Sequence, residues 1–206
     1  MLAQISYGLG IIILLVSAVT GGTLLLAPGS IRLQRPECGW VGWTFNIMNL
    51  LFFMIIIPIC GVLLINNNQI PDFISLTLSS TSLQVGLEIV GIIIFLFGSL
   101  FLLWSRLSLR RSFRLAGVKP TQTDYLTMHG PYQLIRHPMY ISALLVLFGI
   151  TLILVSILMA FMFLTMLSLI LKLIPKEEAQ LNLAYPIAFS EYCRRVPGTL
   201  FPSKPN

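Results

Sequence analysis

Long apolar stretches almost free of charge recur along the chain, separated by polar loops. They run from Ile5 to Ala27, Val41 to Ile65, Leu83 to Trp104, and Met139 to Leu171. A hydrocarbon core about 30 Å thick is crossed by roughly 20 helical residues, so each of the first three stretches predicts one spanning helix. The fourth would be about 50 Å long as a single straight helix. It therefore predicts two helices folded back as a hairpin, with the turn between Gly149 and Ser156. Trp40, Trp43 and Trp104 stand at helix ends, where an interfacial aromatic belt or simple packing accounts for them.

Charge placement gives an independent reading of the topology. The loop after the first helix carries Arg32 and Arg35, and the loop after the third carries Arg106, Arg110, Arg111, Arg114, Lys119 and Arg136. The loop after the second helix has no lysine or arginine, whereas Lys172, Lys176, Arg194, Arg195 and Lys204 follow the hairpin. Counting the last apolar stretch as two crossings brings all 13 basic residues to the cytoplasmic side. The predicted fold is thus all-α: a polytopic integral membrane protein of about five transmembrane helices, with its N-terminus outside and a cytosolic C-terminal tail. A prokaryotic inner membrane or a eukaryotic endoplasmic reticulum both suit it. Residues 1–206 read as one membrane domain, with three helices in 1–104 and the candidate chemistry in 105–206.

Composition agrees, with 56% hydrophobic and 10% charged residues against roughly 25% charged in a soluble domain. The net charge of +6 is explained by topology and anionic lipid, not by nucleic acid. Cys38, Cys60 and Cys193 form neither a paired framework nor a zinc pattern, and two histidines are too few for a membrane di-iron site. Met1 to Tyr7 lacks the basic start of a secretory signal. Gly8 and Gly10, and Gly86, Gly91 and Gly98, read as small residues that let helices approach. Glu88, five residues into its helix, is expected to snorkel or to hydrogen-bond.

Candidate chemistry gathers at the two ends of the last apolar stretch. His129 to Tyr140 precede it and contain both histidines of the chain; Lys176, Glu177 and Glu178 follow it. A hairpin brings these clusters to one membrane surface. Pro131 and Pro138 bias Gly130 and His137 towards extended backbone, so the first cluster is expected to be an irregular loop lining a cavity. Upstream, Leu107 to Gly117 alternates basic and apolar positions and could lie in the interface as an amphipathic helix, or as a solvated basic loop.

The string from Gly130 through Pro131, Tyr132, Arg136, His137, Pro138 and Tyr140, the apolar hairpin, the Glu177–Glu178 pair and the tail Glu191-Tyr192-Cys193-Arg194-Arg195-Val196-Pro197 resemble the isoprenylcysteine carboxyl methyltransferase family. That family includes a phospholipid-methyltransferase-like branch. The resemblance covers about Leu107 to Pro202. It implies methyl transfer from S-adenosylmethionine to a lipophilic or prenylated acceptor within the membrane. By the same resemblance Tyr132, His137, Pro138, Met139, Tyr140 and Glu177 bind the cofactor; Glu178 joins them as a second acid suited to the donor. Asp124, Tyr125, Leu126 and Thr127 align with a further cofactor-contacting stretch.

These residue types suit the donor, whose carboxylate calls for cationic or amide groups and whose ammonium calls for acids. Arg136 or His137 and Glu177 or Glu178 provide them. The sulfonium loses its charge in the transition state, so the glutamates are expected near the amino or ribose groups. The isoprenylcysteine branch carries an acceptor-contacting arginine where this chain has Leu173. Lys172 and Lys176 flank that position and, with Arg136, are the candidates for contact with the acceptor. A carboxylate acceptor needs no general base, whereas a phosphatidylethanolamine amine must first lose a proton, so carboxyl O-methylation leads and phospholipid N-methylation follows. An NADPH-dependent sterol or enone reductase and a non-enzymatic membrane protein are the readings from other classes.

Overall fold

The computed structural model describes residues 2–26, 38–65, 81–109, 112–113, 116–120 and 125–203, and the regular elements among them are all helical. In chain order they are α1 (Leu2–Leu26), α2 (Trp40–Leu51), α3 (Ile57–Ile65), α4 (Thr81–Leu109), α5 (Pro138–Leu154), α6 (Ile157–Ala184) and α7 (Pro186–Arg195). A π-helical turn, Phe52–Ile56, joins α2 to α3 in one rod. Pro58 explains that turn: it has no N–H to offer the carbonyl four residues back, and its ring crowds it. The hydroxyl of Ser17 on α1 donates to the loosened carbonyl of Phe53 at 3.0 Å.

Trp40–Ile65, Ser82–Leu109 and Ile157–Ala184 are long and apolar enough to cross a membrane, and at most a third of each is buried within the protein. Their outward faces carry Ile93, Phe97, Phe161 and Leu164, an apolar perimeter that water does not tolerate on this scale and lipid does. Trp40, Trp43 and Trp104 are exposed as well, as interfacial tryptophans are.

α5 is different. Its 17 residues span about 25 Å, short of a full crossing, and 12 of them are buried; Ile141, Leu145, Phe148 and Leu152, spaced to share one face, form the stripe that is not. The helix is mostly covered by protein and packs antiparallel to α4 through glycines. A Cβ on Gly149 would lie 2.6 Å from the Phe95 backbone nitrogen, one on Gly91 2.9 Å from the Gly149 carbonyl, and one on Gly98 2.8 Å from the Leu145 Cβ. The helices touch backbone to backbone, which only small residues allow. Gly10 and Gly61 do the same for α1 and α3, whereas Gly8 and Gly86 face open space and play no part in the helix contacts expected of them.

The last apolar stretch breaks at Val155 and Ser156, inside the expected window. Val155 takes a left-handed conformation, φ 45° and ψ 50°, which for a β-branched residue costs on the order of 1–3 kcal/mol. Bonds from Val155 N to Leu152 O and from Ser156 N to Thr151 O hold it. Ser156 then caps α6 by accepting from Met159 N at 3.3 Å.

Two other expectations are resolved locally. Glu88 accepts a hydrogen bond from Gln84 Nε2 at 3.1 Å, one turn away on its own helix. Leu107 to Leu109 continue α4 instead of starting a separate surface helix, and Arg110, Arg111, Arg114 and Leu115 lie outside the described residues.

Candidate active site

Between α4 and α5 the chain forms a one-turn 3-10 helix, Gly130–Gln133. Gly130 has φ +63° and packs so closely on α4 that a Cβ there would meet the Ser108 hydroxyl at 2.5 Å. The turn delivers Arg136 and His137 to the mouth of α5, and Pro138 opens the helix at a position where a missing N–H costs nothing. On α6, Pro175 interrupts the backbone ladder just before Lys176, so the apolar part of that helix ends as its charged turn begins.

Two carboxylates organise what lies between. Glu178 accepts Arg136 Nε at 2.8 Å on Oε1, Arg136 Nη2 at 3.4 Å on Oε2, and His137 Nε2 at 3.1 Å on Oε1. Glu177 uses a single oxygen, Oε1, for two donors, the Tyr140 hydroxyl and the Gly117 amide, each at 2.7 Å. Among the described residues its second oxygen has His137 Nδ1 at 3.9 Å, which is beyond hydrogen-bonding reach. His137 is buried and stacks on Tyr140, ring centroids 5.6 Å apart; Phe45 of α2 meets the Tyr140 ring edge-on.

A strap from the far end of the chain closes this knot. Arg136 Nη1 donates to the carbonyls of Val196 and Pro197 at 2.8 and 2.7 Å. The backbone amides of Arg136 and His137 donate to the carbonyls of Gly198 and Thr199. Arg136 thus spends four of its five side-chain N–H donors inside the protein and acts as a strut, with little left for a ligand. Tyr192 of α7 adds a bond from its hydroxyl to the Tyr132 carbonyl at 2.7 Å. Burial raises the phenols of both Tyr132 and Tyr192 above their ordinary value, so they remain protonated donors.

The remaining candidates are distributed around this knot. Asp124 lies outside the described residues. Tyr125 is exposed, and its amide donates to Ser112 Oγ. Leu126 packs against a small cluster of Phe189, Tyr192 and Val196. Thr127 is 95% buried (5% exposed), and its hydroxyl oxygen has no partner among the described residues. Pro138 is fully buried and Met139 sits at the edge of the core. Lys172 and Lys176 reach towards the start of α2: Lys172 Nζ lies 6.0 Å from the Trp40 ring and Lys176 Nζ 3.5 Å from the Cys38 carbonyl. Leu173, between them, is fully buried. Among the described residues no group of acids, histidines and cysteines could hold a metal.

Sequence reasoning missed the supports. Asn46 of α2 makes two bonds with Ala116, donating from Nδ2 to its carbonyl at 3.0 Å and accepting its amide on Oδ1 at 3.2 Å. The amide of the adjoining Gly117 shares one planar peptide with that Ala116 carbonyl and is the group that donates to Glu177. An isolated asparagine in an apolar run offers no signal for such a contact. The Arg136 strap is equally invisible, because its acceptors are backbone carbonyls.

Residues 87–187 match the family model for phospholipid methyltransferases. The match takes in the loop, α5 and the Glu177–Glu178 turn, and supports the broad class of integral-membrane methyltransferases to which the motif also points. No curated protein matches the chain.

Proposed function

We propose that the protein is a multi-pass membrane methyltransferase that uses S-adenosylmethionine and methylates a lipid-borne acceptor at the cytosolic surface. The observation that carries this reading is the knot of His137, Tyr140, Glu177 and Glu178 at one end of the helix bundle, inside the stretch similar to phospholipid methyltransferases. In this reading five helices cross the membrane, with α5 shielded by its neighbours, and the thirteen basic residues lie on the cytosolic side.

The residues present fit the donor. Glu177 Oε2, on a partly exposed side chain, has His137 Nδ1 at 3.9 Å and can accept from a ligand, and the buried Thr127 hydroxyl lacks a partner among the described residues. A buried hydroxyl in the state of Thr127 is ordinarily satisfied by a ligand or water. Glu177, Thr127, Tyr132 and His137 would hold the amino, ribose and carboxylate groups. The bound donor supplies an electrophilic methyl group on a sulfonium. The protein's share is alignment and exclusion of water: the stacked His137–Tyr140 rings and the apolar core behind them give a rigid wall, and rigidity of approach is what an in-line displacement requires.

Two acceptors are in view. An isoprenylcysteine-type carboxylate suits Lys172 and Lys176, which lie together where α6 meets the start of α2 and would steer an anion without a general base. A phospholipid amine of the phosphatidylethanolamine type is favoured by the family similarity. The decisive experiment uses purified protein in lipid nanodiscs and titrates S-adenosylmethionine and S-adenosylhomocysteine into wild type, Glu177→Ala and His137→Ala. Saturable binding that weakens in both variants supports the reading, and methyl transfer is then compared between a farnesylcysteine analogue and phosphatidylethanolamine. A folded wild type that binds NADPH instead makes the protein a reductase; one that binds neither removes the enzymatic reading.

A further inference from the structure

We infer that Asn46, on α2 and outside the stretch similar to known methyltransferases, is a positioning residue that sets the orientation of Glu177 through the Ala116–Gly117 turn. The chain of contacts is short and unbranched. The Asn46 carboxamide pairs with both the carbonyl and the amide of Ala116, as a neighbouring strand would. This fixes the plane of the peptide preceding Gly117. The Gly117 N–H belongs to that same planar peptide, on the side opposite the Ala116 carbonyl, and it donates to Glu177 Oε1 at 2.7 Å.

The consequence for Glu177 is a division of labour between its two oxygens. Oε1 is saturated by Gly117 and Tyr140, both neutral donors held by different segments of the chain. A carboxylate anchored at one oxygen cannot rotate about its last bond, so Oε2 is held in one direction and is the oxygen offered to a ligand. Without Asn46, the Ala116–Gly117 peptide loses the partners that fix its plane, and the carboxylate loses one of its two anchors. The N-terminal helices thereby contribute to the site without touching the ligand, which gives α2 a function beyond spanning the membrane.

The sequence supplies a clean probe, because Ala116–Gly117 is its only Ala–Gly dipeptide. Protein labelled with carbonyl-¹³C alanine and ¹⁵N glycine, in nanodiscs and without ligand, yields a single amide signal filtered through that pair. In wild type it should lie downfield and exchange slowly, as an amide bonded to a carboxylate does. Asn46→Ala should move it upfield and speed its exchange, as Glu177→Ala does, while the remaining glycine signals stay in place. Asn46→Asp, which keeps the acceptor for Ala116 but loses the donor, should fall between the two and serves as the test if Asn46→Ala does not fold. A Gly117 signal unaltered by these Asn46 variants, or one in wild type that exchanges freely, overturns the inference.

A second arm rests on the methyltransferase reading. Asn46→Ala should weaken S-adenosylhomocysteine binding about five- to tenfold, the usual scale for losing one buried hydrogen bond, and Asn46→Asp should restore part of it. Unchanged affinity also overturns the inference. Absence of S-adenosylhomocysteine binding in wild type would remove the methyltransferase reading, and the ligand-free amide signal would then decide the role of Asn46 by itself.

Discussion

Arg136 grips Glu178 with two guanidinium nitrogens, Nε at 2.8 Å and Nη2 at 3.4 Å, and uses the third to hold the carbonyls of Val196 and Pro197. A lysine ammonium has three donors on one nitrogen and cannot reproduce four bonds spread over a planar fork. Arg136→Lys is therefore expected to keep the fold but lower its stability by about 1–3 kcal/mol, the cost of unmet buried hydrogen bonds. It should also free the segment after Tyr192 for proteolysis. Equal protease resistance in wild type and variant would show that the strap is held by something else.

Removal of one oxygen tests the anchoring of Glu177. Tyr140→Phe keeps the ring that stacks on His137 and meets Phe45, and deletes the donor to Oε1. S-adenosylhomocysteine affinity should fall about tenfold with little change in unfolding temperature, since roughly 1–1.5 kcal/mol attaches to such a bond. A large loss of stability with normal affinity would assign the hydroxyl to the fold alone.

The α4–α5 contact is tested by a single methyl group. In Gly149→Ala the new Cβ would meet Phe95 backbone atoms at 2.6 to 2.8 Å, so the helices must separate. A destabilisation of about 1–3 kcal/mol is expected, seen as a lower unfolding temperature in nanodiscs. Gly86→Ala, which meets nothing within 4 Å, is the control and should not destabilise.

Alkaline pH addresses Tyr132 and Tyr192. Burial raises both phenols in the folded protein, whereas unfolding returns them to about 10. The unfolded chain therefore loses these protons first. Their contribution is complete below roughly pH 10 and declines as pH rises from there towards the raised folded values. Tyr192→Phe should flatten that decline, and should lower stability at neutral pH by about 1 kcal/mol through the lost bond to the Tyr132 carbonyl. A decline as steep as in wild type above pH 10 would count against this assignment.

Lys172 and Lys176 distinguish acceptor from donor. Lys172→Ala and Lys176→Ala should leave S-adenosylhomocysteine affinity within about twofold while reducing turnover of a carboxylate acceptor. The wild-type rate should show a salt dependence that the variants lack, as expected for steering by exposed charges. Unaltered turnover in the double variant would direct attention to the phospholipid amine.

Much of the helical scaffold could be read from hydropathy, because an uncharged run of membrane length has few alternatives and Val155–Ser156 falls where the long stretch had to break. Glu177, Glu178, His137 and Tyr140 could be gathered from the motif, whose spacing ties a helix entrance to a helix exit. What could not be read was commitment. Hydropathy does not distinguish α5, buried over most of its surface, from α6, which faces outward over most of its length, since protein interior and lipid ask for the same side chains. Residue type does not reveal that Arg136 spends its donors on backbone, that one oxygen of Glu177 is already occupied, or that Asn46 stands behind it. Those facts depend on pairings across 60 or more residues, which leave no local pattern.

The strap has a consequence for biogenesis. The loop at Arg136 and His137 is completed by carbonyls of Val196 to Thr199, so a ribosome must translate some 60 further residues before the partners of that loop exist. Until then the loop waits at the membrane surface with its guanidinium and two backbone amides unclaimed by the segment that finally holds them. Helix insertion and site assembly are therefore separate events in time, and a nascent chain arrested short of Val196 carries both glutamates and the loop without the part that locks them together.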